Sequence, residues 1–302
     1  MASKRTAAQL RAIRMREKAV EFVLFLCAAS SVFITLAIVG VLLYESFAFF
    51  QQVSIFEFLT GTVWTPLFAN PQYGILPLLS GTLLSTVVAL GVAGPLGLVA
   101  AVYLSEFASP KVRETVKPML ELLSGVPTVV YGFFALLFVT PLLQTFIPGL
   151  PGFNILSAGI VMGIMVIPYV ASLSEDAMRA VPNALRDGSL ALGATRLETA
   201  FRVVLPTAIS GVAAAFVLGI SRAVGETMVV AIAAGQQPNL TFDPREPAAT
   251  ITAYIVQVAL GDLPHGSIGY QTIFAAGLTL LLITLIFNVL AFWLRARFRE
   301  AY

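Results

Sequence analysis

Arg222 and Glu226, within Ser221-Arg-Ala-Val-Gly-Glu-Thr227, set a cation and an anion inside a stretch that is otherwise apolar. Charge at that depth is costly. Even on the mildest insertion scales a charged side chain near a bilayer centre costs about 2.5 to 3.5 kcal/mol, so such residues pair with one another or line a pathway. A separation of four predicts one shared helix face on which both can happen. A pair that only holds neighbouring helices together is the competing reading. It is the weaker one, because Arg preceding Glu is the less favourable i,i+4 order.

The elements that must carry this pair are membrane-spanning. The chain of 302 residues is 58% hydrophobic and 11% charged, less than half the roughly 25% charged fraction of soluble domains. A helix needs about 20 apolar residues to cross a ~30 Å hydrocarbon core. Six segments qualify: Phe22 to Tyr44, Leu78 to Leu104, Met119 to Leu142, Ile155 to Leu173, Ala208 to Ala234 and Thr272 to Leu294. The first is too long, and too free of a small-residue cleavage site, for a signal peptide, and is expected to be retained. An all-α membrane protein is the expected fold class. Gly91, Gly94, Pro95 and Gly97 in the second span, Gly125, Pro127 and Gly132 in the third, and Pro168 in the fourth would either break the backbone beside a cavity or permit close helix packing.

Charge is sorted along the chain. Six basic residues precede the first span (Lys4, Arg5, Arg11, Arg14, Arg16, Lys18) and three lie between spans two and three (Lys111, Arg113, Lys117). Four lie between spans four and five (Arg179, Arg186, Arg196, Arg202) and three follow the last (Arg295, Arg297, Arg299). Arg245 alone occupies an outer loop, so both termini are expected to be cytoplasmic. Residues 1–21 form a basic cytoplasmic segment, read as an orientation anchor in preference to a helix lying on anionic lipid, and residues 22–302 form the transmembrane domain. With one cysteine, Cys27, and one histidine, His265, neither a disulfide framework nor a Cys/His metal cluster can be built. No cofactor is called for, and nothing implies nucleic acid.

The stretch from Ser174 to Pro206 is the one long polar connection on the inner side. Residues 175–180 continue the fourth span, Val181-Pro182 allows a new helix, Gly193 can break it, and Leu205-Pro206 leads into span five. A short helix-turn-helix presenting Leu190, Ala191, Leu192, Ala194 and Leu197 suits insertion into a groove on a soluble partner. Within it, Asp187-Gly188-Ser-Leu-Ala-Leu-Gly193, nine further residues beginning at Ala194, and then Val203-Val-Leu205-Pro206 resemble the EAA motif of membrane subunits of bacterial ABC importers. Asp-Gly-Ser stands where that family has Glu-Ala-Ala, with the spacing intact.

The resemblance extends from about Phe58 to the C-terminus. Ser124-Gly-Val-Pro-Thr-Val-Val-Tyr-Gly132, Ile167-Pro-Tyr169, Leu185-Arg-Asp187, Ala191-Leu-Gly-Ala-Thr-Arg196 and Arg222-Ala-Val-Gly-Glu-Thr227 look like the permease pair of the phosphate ABC importer. Met228-Val-Val after Gly-Glu-Thr, the basic N-terminus and Thr60-Gly-Thr-Val-Trp-Thr-Pro66 resemble the PstC-type subunit more than the sister PstA type. The resemblance implies a type I ABC importer fold in the bacterial inner membrane, with a coupling loop at about 174–206. It also implies four kinds of partner: a PstA-type permease, a cytoplasmic PstB-type ATPase dimer, a soluble PstS-type phosphate-binding protein, and phosphate itself. Arg222 would then meet the anion, since guanidinium binds oxyanions bidentately and stays charged when desolvated, and Glu226 would neutralise it while the path is empty. The dipeptide Gly-Lys is absent, so no Walker A loop exists and ATP hydrolysis must come from a partner. A permease for sulfate, molybdate or phosphonate, and a secondary anion transporter without an ATPase, are the alternatives.

Overall fold

The computed structural model describes residues 7–261 and 263–297, so Lys4, Arg5 and Arg299 of the charge pattern lie outside it. The described chain is helical. Its helices are α1 (Ala7–Phe50), α2 (Ile55–Thr60), α3 (Leu76–Val102), α4 (Pro110–Ser124), α5 (Thr128–Phe134), α6 (Thr140–Phe146) and α7 (Ile155–Arg179). There follow α8 (Asn183–Ala191), α9 (Arg196–Thr199), α10 (Leu205–Thr207), α11 (Ile209–Val224), α12 (Met228–Ala233), α13 (Ile251–Ala259) and α14 (Ile268–Arg297). Single π turns extend α3 over Tyr103–Phe107, join α5 to α6 over Ala135–Val139, and join α9 to α10 over Ala200–Val204. Among the described residues the only β pairing is an isolated bridge between Trp64 and Tyr73.

Five helical runs are long and apolar enough to cross a membrane, and a sixth span exists if the bent pair Arg196–Thr207 and Ile209–Val224, angled at 74°, counts as one. Two expected spans are corrected. The third begins at Thr128, not Met119, because α4 is a separate amphipathic helix that ends at Gly125 and Pro127 takes an extended conformation with φ −57° and ψ 133°. The fifth is not continuous over 208–234: α11 stops at Val224, and the chain resumes as α12 at Met228. Glycine is a poor helix former, and Gly225 occupies the end of α11.

The centre of the molecule is α3 laid along α7. Glycines make that contact close: a Cβ on Gly97 would lie 2.9 Å from Val170, and one on Gly163 2.7 Å from the Ala89 carbonyl. At these positions the packing reading of the glycines is the right one, and α3 runs unbroken through Pro95. In the third span Gly125 and Pro127 do interrupt the helix, and the Tyr131 hydroxyl donates back across the break to the Leu123 carbonyl at 2.7 Å.

The stretch around Arg245, between the fifth and sixth expected spans, was read as an outer loop, yet nine of its residues form α13, whose Ile251, Ala253, Tyr254 and Val258 are buried. Its nine residues span only about 13 Å, far short of a bilayer, so hydropathy length alone does not register it. The preceding segment covers the start of α7: the Leu156 N–H donates to the Pro244 carbonyl at 2.7 Å and the Ile155 N–H to the Glu246 carbonyl at 3.2 Å. Those are two of the N–H groups that a helix start leaves without a partner. Phe49, Phe58, Trp64, Tyr73 and Tyr254 close the same end through edge-to-face ring contacts.

Candidate functional site

Arg222 sits in the last turn of α11, and Glu226 sits in the break beyond it, so the two do not share a continuous helix face as the spacing suggested. They meet all the same. Arg222 Nη1 donates to Glu226 Oε2 at 2.7 Å. The other carboxylate oxygen, Oε1, accepts from the backbone N–H groups of Met228 and Val229 at 3.1 and 3.3 Å. Glu226 therefore caps the start of α12 while pairing with the end of α11. Both charges suit the helix ends they occupy, cation at a C-terminus and anion at an N-terminus. The Glu226 side chain is 3% exposed, whereas that of Arg222 is 31% exposed. Arg222 Nη2 lies 3.7 Å from the Met165 sulfur, a weak acceptor.

A line of hydroxyls fixes this break from behind. Thr252 Oγ1 donates to the Glu226 carbonyl at 2.6 Å and lies 3.1 Å from Thr250 Oγ1. Thr250 caps α13 by accepting from the Ala253 N–H at 3.2 Å, and Thr82 of α3 accepts from the Ile251 N–H at 3.0 Å. The backbone here presses so close to α3 that a Cβ on Gly81 would stand 2.3 Å from the Ala249 carbonyl. Thr82, Thr250 and Thr252 were not picked out from the sequence. Hydroxyl residues in apolar spans usually bond their own helix, as Thr82 also does by donating to the Leu78 carbonyl at 2.8 Å. Only the bonds of Thr82 to the Ile251 N–H and of Thr252 to the Glu226 carbonyl reach distant parts of the chain.

The expected coupling loop is a helix-turn-helix. Pro182 starts α8, Gly193 turns the chain with φ +87°, and Thr195 with Glu198 form a reciprocal capping box at the start of α9. Asp187, Gly188 and Gly193 are exposed, with Ala194 half-buried, along a tip where Leu192 is 91% exposed and Leu190 and Leu197 are also open. Leu205 and Pro206 lie in α10, where the chain bends back toward α11. The site residues named from the sequence thus fall into two groups. Arg222 and Glu226 form one, and the loop residues Asp187 to Pro206 form the other.

Two ion-pair clusters at the α8 end were not anticipated. Glu175 of α7, fully buried, accepts from Arg113 Nε at 2.7 Å and Lys117 Nζ at 2.8 Å, with Arg179 Nε at 3.7 Å. Lys117 also pairs with Asp176. Burial pulls the Lys117 ammonium down, but its bonds to Asp176 and Glu175 outweigh that and hold its pKa above the ordinary lysine value. The second cluster joins Arg186 of α8 to Glu106, in the π turn that extends α3, through bonds of 3.1 and 3.0 Å. Only the i,i+4 spacing of Glu175 and Arg179 was a local signal of either. Among the described residues no group of His, Cys, Asp and Glu could hold a metal ion.

This architecture has known counterparts. Residues 93–300 match the model of the binding-protein-dependent transport system inner membrane component. The chain belongs to that family. It is 37% identical over 269 residues to the probable ABC transporter permease protein YqgH of Bacillus subtilis, covering 89% of this chain and 86% of that one. It is 35% identical to the phosphate transport system permease protein PstC 1 of Mycobacterium tuberculosis, covering 76% of this chain and 75% of that one. PstC of Mesorhizobium japonicum is 31% identical, with 80% and 79% covered. A bacterial alginate ABC transporter chain superposes with a TM-score of 0.64 at 18% identity, over 95% of this chain and 99% of that one. A chain of the MetNI methionine ABC transporter superposes with a TM-score of 0.56 at 17% identity, over 75% and 95%. The fold is that of the type I ABC importer permeases, and the chain is a multi-pass inner-membrane permease subunit of an ABC importer whose ATPase is a separate subunit.

Proposed function

We propose that this permease subunit is of the PstC type and passes inorganic phosphate, with Arg222 as the side chain that meets the anion. The observation that carries the reading is the state of the Arg222 guanidinium. It is permanently charged, a third exposed, tied at one nitrogen to Glu226, and opposed elsewhere by a thioether that competes poorly for its N–H groups. An oxyanion arriving from the exposed side can take a free edge of the fork without breaking the capping bonds of Glu226. Similarity to relatives named as PstC supports the choice of anion.

In this reading the partners are a PstA-type permease, a PstB-type ATPase dimer docked on the loop of α8 and α9, and a PstS-type binding protein delivering phosphate at the α13 end. Exposed Leu190, Leu192 and Leu197 form an apolar tip of the kind that inserts into a groove. The inner end of the chain is then the end bearing this loop, and both termini are cytoplasmic.

The test is uptake of labelled phosphate, normalised to assembled complex, in Arg222→Gln. Gln keeps hydrogen-bonding capacity but not the charge that offsets phosphate desolvation, so uptake per complex should be abolished. Normal uptake per complex would place the anion path elsewhere. Running sulfate and molybdate, each with its own binding protein, in parallel with phosphate decides the anion.

A further inference from the structure

We infer that Glu106 and Arg186 are positioning residues for energy coupling, joining the ATPase-docking loop to α3, which acts as a rod reaching to the Arg222 site. The inference rests on the reading of the α8 loop as the docking element. It starts from how little else holds that helix: α8 buries none of its own residues.

Its hold is Arg186. All five guanidinium N–H groups are used. Nε and Nη2 donate to Glu106 at 3.1 and 3.0 Å, Nη2 also donates to the Met178 carbonyl at 2.7 Å, and Nη1 donates to the Val181 carbonyl at 2.5 Å and to Asn183 Oδ1 at 3.3 Å. One side chain thus ties α8 to the end of the second span and to the end of α7. Glu106 is itself fixed, accepting from Ser105 Oγ at 2.7 Å, and its side chain is 9% exposed. A planar fork with every donor engaged cannot swing without losing bonds, so displacement of α8 moves Glu106.

From Glu106 the helix runs back without a break to Thr82, about 36 Å at 1.5 Å per residue. At Thr82 it meets the hydroxyl line already described, through the Ile251 N–H, Thr250 and Thr252 to the Glu226 carbonyl. Glu226 holds Arg222. A continuous set of hydrogen bonds and one helix therefore connects the loop with the charged pair at the other end. Such a connection becomes a coupling path only if perturbing it changes coupling itself.

The experiment uses the full complex of this chain, the second permease, the ATPase and the binding protein in proteoliposomes, with Glu106→Gln and Arg186→Lys. Glu106→Gln removes the charge that Arg186 grips; Arg186→Lys keeps a charge that can reach Glu106 or the carbonyls of Met178 and Val181 but not both. Allosteric couplings are typically worth 5- to 150-fold, and a drop of about tenfold in labelled phosphate imported per ATP hydrolysed is expected for Glu106→Gln. Arg186→Lys should lie between that variant and the parent. The ATPase should co-purify at the parent level with basal hydrolysis retained, which a merely structural role would not produce. An unchanged ratio of uptake to hydrolysis in both variants overturns the inference, as does a loss that disappears when uptake is normalised to assembled complex. If hydrolysis in the unmodified complex is not linked to phosphate uptake, the docking reading falls and the inference falls with it.

Discussion

Replacing Glu226 separates its two jobs. In Glu226→Ala the carboxylate bond to Arg222 is lost, worth about 1.5 to 3 kcal/mol for a charge-assisted hydrogen bond, together with the cap on Met228 and Val229, worth about 0.5 to 2 kcal/mol. The structure therefore predicts a total of about 2 to 5 kcal/mol for Ala, with both bonds made by a side chain that is 3% exposed. Glu226→Gln keeps one carbonyl oxygen to accept from the start of α12 but sets an amide NH2, a donor, where Oε2 accepted from Arg222, so it should cost about 1.5 to 3 kcal/mol. Exchanging the two residues, Arg222→Glu with Glu226→Arg, should fail to restore stability, because a guanidinium cannot accept the two backbone N–H bonds. Equilibrium unfolding in mixed micelles reads these differences directly. An Ala variant no less stable than the Gln variant, or full recovery in the exchange, would refute the capping role.

Gly193→Leu should weaken ATPase co-purification and coupled hydrolysis while leaving membrane insertion intact. Its φ of +87° would strain a Cβ-bearing residue by about 1 to 2 kcal/mol, although a Cβ there would meet nothing within 4 Å. Glu175→Gln leaves Arg113, Lys117 and Arg179 around an uncharged buried group; those cations are part-exposed and Lys117 keeps Asp176, so the loss should be about 1.5 to 3 kcal/mol, that of a charge-assisted hydrogen bond. Hydrogen exchange should then accelerate in α4, which buries no residue of its own, and not in the middle of α3. Single cysteines at exposed Gln72 or Gln236, with Cys27→Ser, should react with an impermeant thiol reagent on intact spheroplasts. Labelling only after lysis would reverse the orientation.

The parts of this molecule that were legible in its sequence are those set by neighbours in the chain. Spans two, four and six follow from uninterrupted apolar length, and the turn at Gly193 and the start of α8 at Pro182 follow from glycine and proline punctuation. The Arg222 and Glu226 contact was also legible, though for the wrong geometric reason, since Gly225 ends the helix on which they were supposed to sit. What could not be read depends on distant partners. Arg113 finds Glu175 across 62 positions, and Arg186 finds Glu106 across 80. The end of α4 was absorbed into the expected third span because Met119, Leu122 and Leu123 are apolar and exposed, and α13 is too short to register as a span.

The burial of α13 changes where this chain will accept foreign sequence. The charge pattern offers all of 236–269 as one exterior stretch, equally open to a tag, a protease site or a fluorophore. In the folded chain, an insertion between Thr250 and Ala259 would wedge into the bundle, part Thr252 from Glu226 and loosen Arg222 indirectly. One placed around Phe242, which is 81% exposed, meets solvent first. Tagging experiments on this side would therefore report damage or tolerance according to a choice of about ten residues within a single loop, and a tag that silences transport there would say nothing about docking of a partner.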